Sequence, residues 1–169
     1  MTEFDGNDGK KPLSDLDRFD QAILKVLAED GRISITDLAG KIGLSKSPTQ
    51  TRLRRLETTG VILGYRAMLD PISLGIDHVA FVEVRLSDTR EAALRAFNAA
   101  IAGVSEIEQA HMIAGGFDYL LKVRTRDMTA YRRILGDVIS ALPHVASTSS
   151  FVAMEAVKEV ALSGHPARM

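Results

Sequence analysis

The sequence predicts an α+β chain of two domains, an N-terminal winged helix-turn-helix followed by a ferredoxin-like (βαββαβ) α/β sandwich. Three observations carry this. Residues 15–60 hold three short apolar stripes at helical spacing, each closed by a glycine. From residue 78 the pattern becomes strand, helix, strand, and then repeats. Between the two patterns lie Pro71 and the segment ISLGID.

Residues 1–14 are rich in Gly, Asp and Lys and read as a flexible arm. The first helix is expected to follow Ser14 or Asp15. Leu16, Phe19, Ile23 and Leu27 form its apolar stripe. Asp15, Asp17 and Asp20 suit the positive end of its dipole. Gly31, in EDGR, is expected to end it in the left-handed conformation. SITDLAGKIG reads as a second helix, capped by Ser34 or Thr36, with Leu38, Ala39 and Ile42 inward. Gly43 turns the chain. A third helix begins after Ser45 or Ser47, with Pro48 in its first turn, where a missing N–H does no harm, and closes at Gly60. The helix-turn-helix thus occupies about residues 34–57 of a domain spanning 15–70. VILGYRAMLD (61–70) reads as strand, turn and strand, the shape of a wing, and residues 71–77 as a linker.

The second domain is expected over residues 78–160. HVAFVEVRL (78–86) alternates, with Ala80, Val82, Val84 and Leu86 on one face and Val79 and Phe81 on the other. REAALRAFNAAIAG reads as a helix with Ala93, Ala96, Phe97, Ala100 and Ile101 inward. Strands follow at 105–114 and 118–126, joined by Gly115-Gly116. The next helix holds Met128, Tyr131, Leu135, Val138 and Leu142 in register, and the fourth strand is expected over 147–160. Residues 161–169 read as a tail. Val79 and Phe81 leave an apolar outer sheet face, which predicts self-association through this domain.

Composition narrows the class. A hydrophobic share of 46% and a charged share of 25% describe a globular chain rather than a disordered one. No apolar run approaches the roughly 18 residues of a membrane helix. MTEFDGNDGKKPLSD lacks the apolar core of a secretory signal. The absence of cysteine excludes disulfides, cysteine nucleophiles and thiolate metal sites. A cytoplasmic protein without membrane partners is therefore expected. The four histidines show no ligand spacing, so no metal is expected. GGFD lacks the Lys-Ser/Thr of a phosphate loop. Ser147, Ser149 and Ser150 have no His–Asp companions in sequence. Neither catalysis nor a cofactor is expected.

Charge points to a partner. The chain is nearly neutral at −1, yet residues 41–66 carry Lys41, Lys46, Arg52, Arg54, Arg55 and Arg66 against Glu57 alone. A local positive patch suits nucleic acid, because contact is local. On a helix, Thr49, Leu53 and Leu56 fall together toward the protein. Gln50, Thr51, Arg54, Arg55 and Thr58 lie opposite, with Arg52 at the flank. Gln, Thr and Arg are side chains that read major-groove base edges of double-stranded DNA. Ser45, Lys46 and Ser47, with the free amides of the helix start, can hold a phosphate. Lys41 and Arg66 can add backbone contacts. The bland alternative is a solvated charged face.

The segments DLDRFDQAIL, DGRIS and RRLE, with GFDYLLK and DMTAYR further on, together resemble the leucine-responsive regulatory protein/asparagine-operon regulator (Lrp/AsnC) family over about residues 15–159. The leucine-responsive branch is the nearest resemblance, and a proline-responsive branch a further candidate. The resemblance implies a transcriptional regulator of amino-acid metabolism with leucine-like or proline-like control. It implies homodimers formed through the second domain, associating to tetramers or octamers, with a small amino acid bound where dimers meet. It places the recognition helix on residues 46–57. It places the effector region on Gly115, Gly116 and Asp118, on Met128, and on Phe151, Val152 and Ala153.

The chemistry of those residues is compatible. Adjacent glycines let a ligand approach the backbone and offer amides to a carboxylate. Asp118 can pair with an α-ammonium, and Met128 and Phe151 can form an apolar wall. The competing structural reading is a Gly-Gly hairpin capped by Asp118, with Met128 and Phe151 in the core. Lys46 stands where many relatives have Pro beside the serine, and Gly116 where some carry an acid. Two further functions compete: an effector-insensitive architectural nucleoid-type DNA-binding protein, and an amino-acid-sensing subunit of an enzyme.

Overall fold

The computed structural model describes residues 16–157. The expected arm, the tail and the last residues of the expected fourth strand lie outside them. The chain divides into two compact units, Met1–Ala67 and Met68–Met169.

The first unit contains α1 (Arg18–Glu29), α2 (Ile35–Ile42) and α3 (Lys46–Thr58). The cap of α1 is Asp17, later than Ser14 or Asp15, which lie outside the described residues. Its carboxylate accepts from the Phe19 and Asp20 amides at 2.9 and 3.0 Å, and Asp20 accepts in return from the Asp17 amide at 3.2 Å. This capping box satisfies orphan donors reciprocally. Gly31 does not take the left-handed conformation expected of it. Asp30 ends the helix instead, its carboxylate accepting from the Arg32 amide at 3.0 Å in an Asx turn. Ser34 caps α2, accepting from the Asp37 amide at 3.1 Å. Gly43 closes α2 at φ 71° and sets the turn into α3.

The three helices bury Ile23, Leu38 and Leu56 against one another. Val61 and Ile62 pack onto the same cluster. That packing corrects the strand-turn-strand reading of the segment after α3: residues 61–70 contain no strand. The first half of the expected hairpin is drawn onto the helices, and its backbone bonds back to α3 through the Ile62 amide and Leu56 carbonyl at 2.9 Å.

The second unit contains β1 (His78–Leu86), α4 (Glu91–Ile101), β2 (Ile107–Met112), β3 (Tyr119–Thr125), α5 (Met128–Arg133) and β4 (Val145–Val152). The strands form one antiparallel sheet in the order β2-β3-β1-β4, the ferredoxin-like arrangement. Ala80, Val82, Val84, Leu121 and Val123 form the buried face, packed with Phe97, Tyr131 and Ile139. On the open face Phe81 lies opposite Lys122 on one side and Phe151 on the other.

Three details differ from expectation. The final helix does not stay regular: after α5 it widens into a π-turn over Ile134–Val138 and tightens into a short 3-10 segment, Ile139–Ala141. The extra residue in the π-turn shifts the phase, so Ile139 rather than Val138 is fully buried. At the other end Met128 is exposed. Ala96 also faces solvent, and β4 stops at Val152 rather than running to residue 160. Among the described residues, no helix is long and apolar enough to cross a membrane.

Candidate nucleic-acid interface and effector site

Two residues seat α3. Leu56 is fully buried, and so is Thr49, whose hydroxyl donates to the Ser45 carbonyl at 2.9 Å. Leu53 adds partly buried area to the same cluster. The outer face is then fixed by helical geometry. Lys46, Ser47, Gln50, Thr51 and Arg54 are exposed on it. The hydroxyl of Ser45, the residue before the first turn, caps no amide, so the opening turn of α3 has no side-chain cap. Thr51 donates to the Ser47 carbonyl at 3.2 Å. The side chains of Lys41, Lys46, Gln50, Arg54 and Arg66 make no hydrogen bond or ion pair among the described residues.

Arg52 and Arg55 are placed differently from the DNA-facing positions expected of them. Both turn toward the start of α1. Arg52 Nη1 donates to Asp17 Oδ2 at 2.6 Å and to Asp20 Oδ1 at 3.0 Å, and Arg55 Nη2 donates to Asp20 Oδ2. Asp20 is fully buried while Arg55 is 45% exposed. The Arg52 guanidinium also lies 5.4 Å from the Phe19 ring centroid, within cation–π range. The Asp17 carboxyl is held below its ordinary range, first by the Asp20 amide and then by Arg52 against a burial cost. Arg52 is held above its ordinary range by Asp17 and Asp20. The sequence carried a signal for this: two carboxylates three apart on α1 match two guanidiniums three apart on α3.

The expected effector residues fall into two groups. Gly115, Gly116 and Asp118 form the loop between β2 and β3. The Asp118 amide donates to the Val84 carbonyl at 2.9 Å, and its carboxylate accepts from the Leu86 amide at 2.7 Å. The loop therefore sits at the end of β1. A side chain at Gly116 would meet only the tip of Arg85, at 3.9 Å, so the fold itself does not require a glycine there. Phe151, Val152 and Ala153 sit beside the start of β1: Phe151 pairs with Phe81, Val152 with Ala80, and the Ala153 amide donates to the Val79 carbonyl at 2.9 Å. Met128 begins α5, just past Thr125, which pairs with His78 at that same end. Val79 and Val84 are five residues apart on β1, roughly 17 Å at strand rise. The loop and the strand end do not converge within one subunit.

Phe151 and Met128 are both about half exposed, which corrects the alternative that placed them in the core. The hairpin half of that alternative is present, since the Asp118 carboxylate bonds to backbone. Among the described residues, no group of three or more His, Asp or Glu is arranged to hold a metal ion.

Comparison with known proteins agrees with this architecture. Residues 16–62 match a winged helix-turn-helix DNA-binding domain, and residues 79–162 match the Lrp/AsnC ligand binding domain. A proline dehydrogenase transcriptional activator of Rhizobium radiobacter is 59% identical over 88% of this chain and 95% of its own. The leucine-responsive regulatory protein of Salmonella typhimurium is 45% identical over 89% of this chain and 92% of its own. A transcriptional regulator of Neisseria meningitidis, solved with L-Met, superposes with a TM-score of 0.80 at 30% identity, covering 86% of this chain and 94% of that one. A DNA-binding head, an amino-acid effector domain and relatives that are regulators rather than enzymes place this chain in the Lrp/AsnC family of transcriptional regulators.

Proposed function

We propose that this protein switches genes of amino-acid metabolism in response to proline or a similarly small apolar amino acid, acting in the cytoplasm as a homodimer that associates further. The observation that carries the DNA half is the division of labour on α3. Gln50 and Arg54 project with no partner among the described residues, while Arg52 and Arg55 are tied to α1. Gln50, Thr51 and Arg54 read base edges, and Lys46 with the uncapped first turn holds a phosphate. Lys41 and Arg66 add backbone contacts. The effector half rests on the Gly115–Asp118 loop and on Met128, Phe151, Val152 and Ala153. Identity favours proline over leucine as ligand, at 59% to a proline dehydrogenase activator against 45% to a leucine-responsive protein.

A thermal-shift screen against the twenty amino acids tests the effector. A ligand selective for the folded assembly raises its stability by mass action, about 2.7 kcal/mol at a hundredfold excess over Kd. Mobility shift on the protein's own promoter region, with and without the amino acid that scores, tests the regulation. Long phased footprints insensitive to every amino acid favour the architectural alternative.

A further inference from the structure

The α1–α3 ion-pair cluster has a role that ordinary helix packing does not need. Asp20 is fully buried and accepts from two guanidiniums 32 and 35 residues further along the chain. Asp17 holds the same Arg52 from the edge. The four groups cancel in formal charge. Two of the four arginines and lysines on α3 are thereby removed from the field offered to DNA. If both guanidiniums left for phosphates, Asp20 would keep only the Asp17 amide and be a buried carboxylate without a counter-charge, which is strongly unfavourable. The two arginines sit three apart on α3 and meet the two aspartates three apart on α1, so the contact also fixes the rotation of α3 about its axis.

We infer that Asp20 is a positioning residue for DNA recognition: it withholds Arg52 and Arg55 from the phosphate backbone and sets the angle at which Lys46, Gln50 and Arg54 are presented. This rests on the proposed reading of α3. It predicts that specificity comes partly from suppressed basicity. A chain with all its recognition-helix cations free would bind any duplex better and its operator less selectively.

The test uses the full chain, a promoter duplex and a random duplex of equal length, with dissociation constants measured across a salt series. In Asp20→Asn, binding to random DNA should tighten. The slope of log affinity against log salt should steepen by about 0.9 for each guanidinium released, and the specific-to-random ratio should fall. Loss of both affinities without a steeper slope, in a folded variant, overturns the inference. Because Asp20→Asn can unfold the head, Arg55→Gln decides independently. It should leave the slope at the wild-type value, while Lys46→Gln, which removes a proposed phosphate contact, flattens it by about 0.9. Equal flattening by the two variants means that Arg55 does contact phosphate and overturns the inference, with the reading of α3 intact. If the wild-type protein shows no preference for the promoter, both readings fall.

Discussion

Tyr65 donates a 2.9 Å hydrogen bond to Glu57, tying the extended segment after α3 back onto the helix. Burial first, and the bond to Glu57 second, push the Tyr65 phenol up to about 12. A folded pKa above the unfolded one gives stability that is complete below about pH 10 and is lost as pH rises through about 12. Wild-type protein should therefore lose urea resistance between about pH 10 and pH 12. In Tyr65→Phe that alkaline slope should be shallower, and at neutral pH the variant should lose about 1 kcal/mol or less, because the pair is half exposed.

Arg54 and Lys41 should separate by the kind of loss. Arg54→Ala should lower discrimination between the operator and random DNA by about 1–3 kcal/mol. Lys41→Ala should weaken binding to both DNAs by a similar factor and flatten the salt slope by about 0.9. Competitive titrations at two salt concentrations distinguish them, and equal losses on both DNAs for both variants would sink the assignment.

Asp118 serves the fold and, in the proposed site, the ligand. Its carboxylate accepts from the Leu86 amide at 2.7 Å, a bond that the oxygen of asparagine can keep. Asp118→Asn should thus melt near the wild-type temperature. Its affinity for the effector should drop about tenfold or more, since a charge-assisted bond to the ammonium is lost. Calorimetric titration reads the affinity and circular dichroism the melt.

Phe81 and Phe151 lie opposite one another on the open face of the sheet, 38% and 54% exposed in the single chain. Phe81→Asp should leave the subunit folded and shift the assembly toward monomer in multi-angle light scattering. An unchanged mass would move the self-association surface elsewhere.

Leu56 is the fully buried anchor of α3. Leu56→Ala should cost about 2–5 kcal/mol. Promoter binding should recover as the temperature is lowered, because the exposed reading residues are intact.

Most elements could be read from apolar spacing, because α2, α3, β1 and β3 each follow a single period. What escaped depended on partners distant in sequence or on irregular backbone. Asp20 looked like a helix-dipole acid, and only the fold brings Arg52 and Arg55 onto it. The 61–70 segment has strand-like residues, yet packing of Val61 and Ile62 on the helices won over pairing. The π-turn at Ile134–Val138 leaves no sequence period to detect, so helical spacing points inward at Val138, one residue before the buried Ile139. Gly31 sat where a left-handed residue was expected, but the Asp30 side chain ended α1 by itself. In the candidate effector region the residue types were legible, whereas their distribution to the two ends of β1 was not.

The Gly115–Asp118 loop and the Phe151–Ala153 strand end do not meet in one pocket within a subunit, because they lie at opposite ends of β1. Under the proposed assignment, a ligand that needs both must take them from different subunits. Effector sensitivity then becomes a function of how much regulator the cell holds. Diluting the protein deafens it to the amino acid at an unchanged metabolite level, so synthesis of the regulator tunes the threshold of its own response.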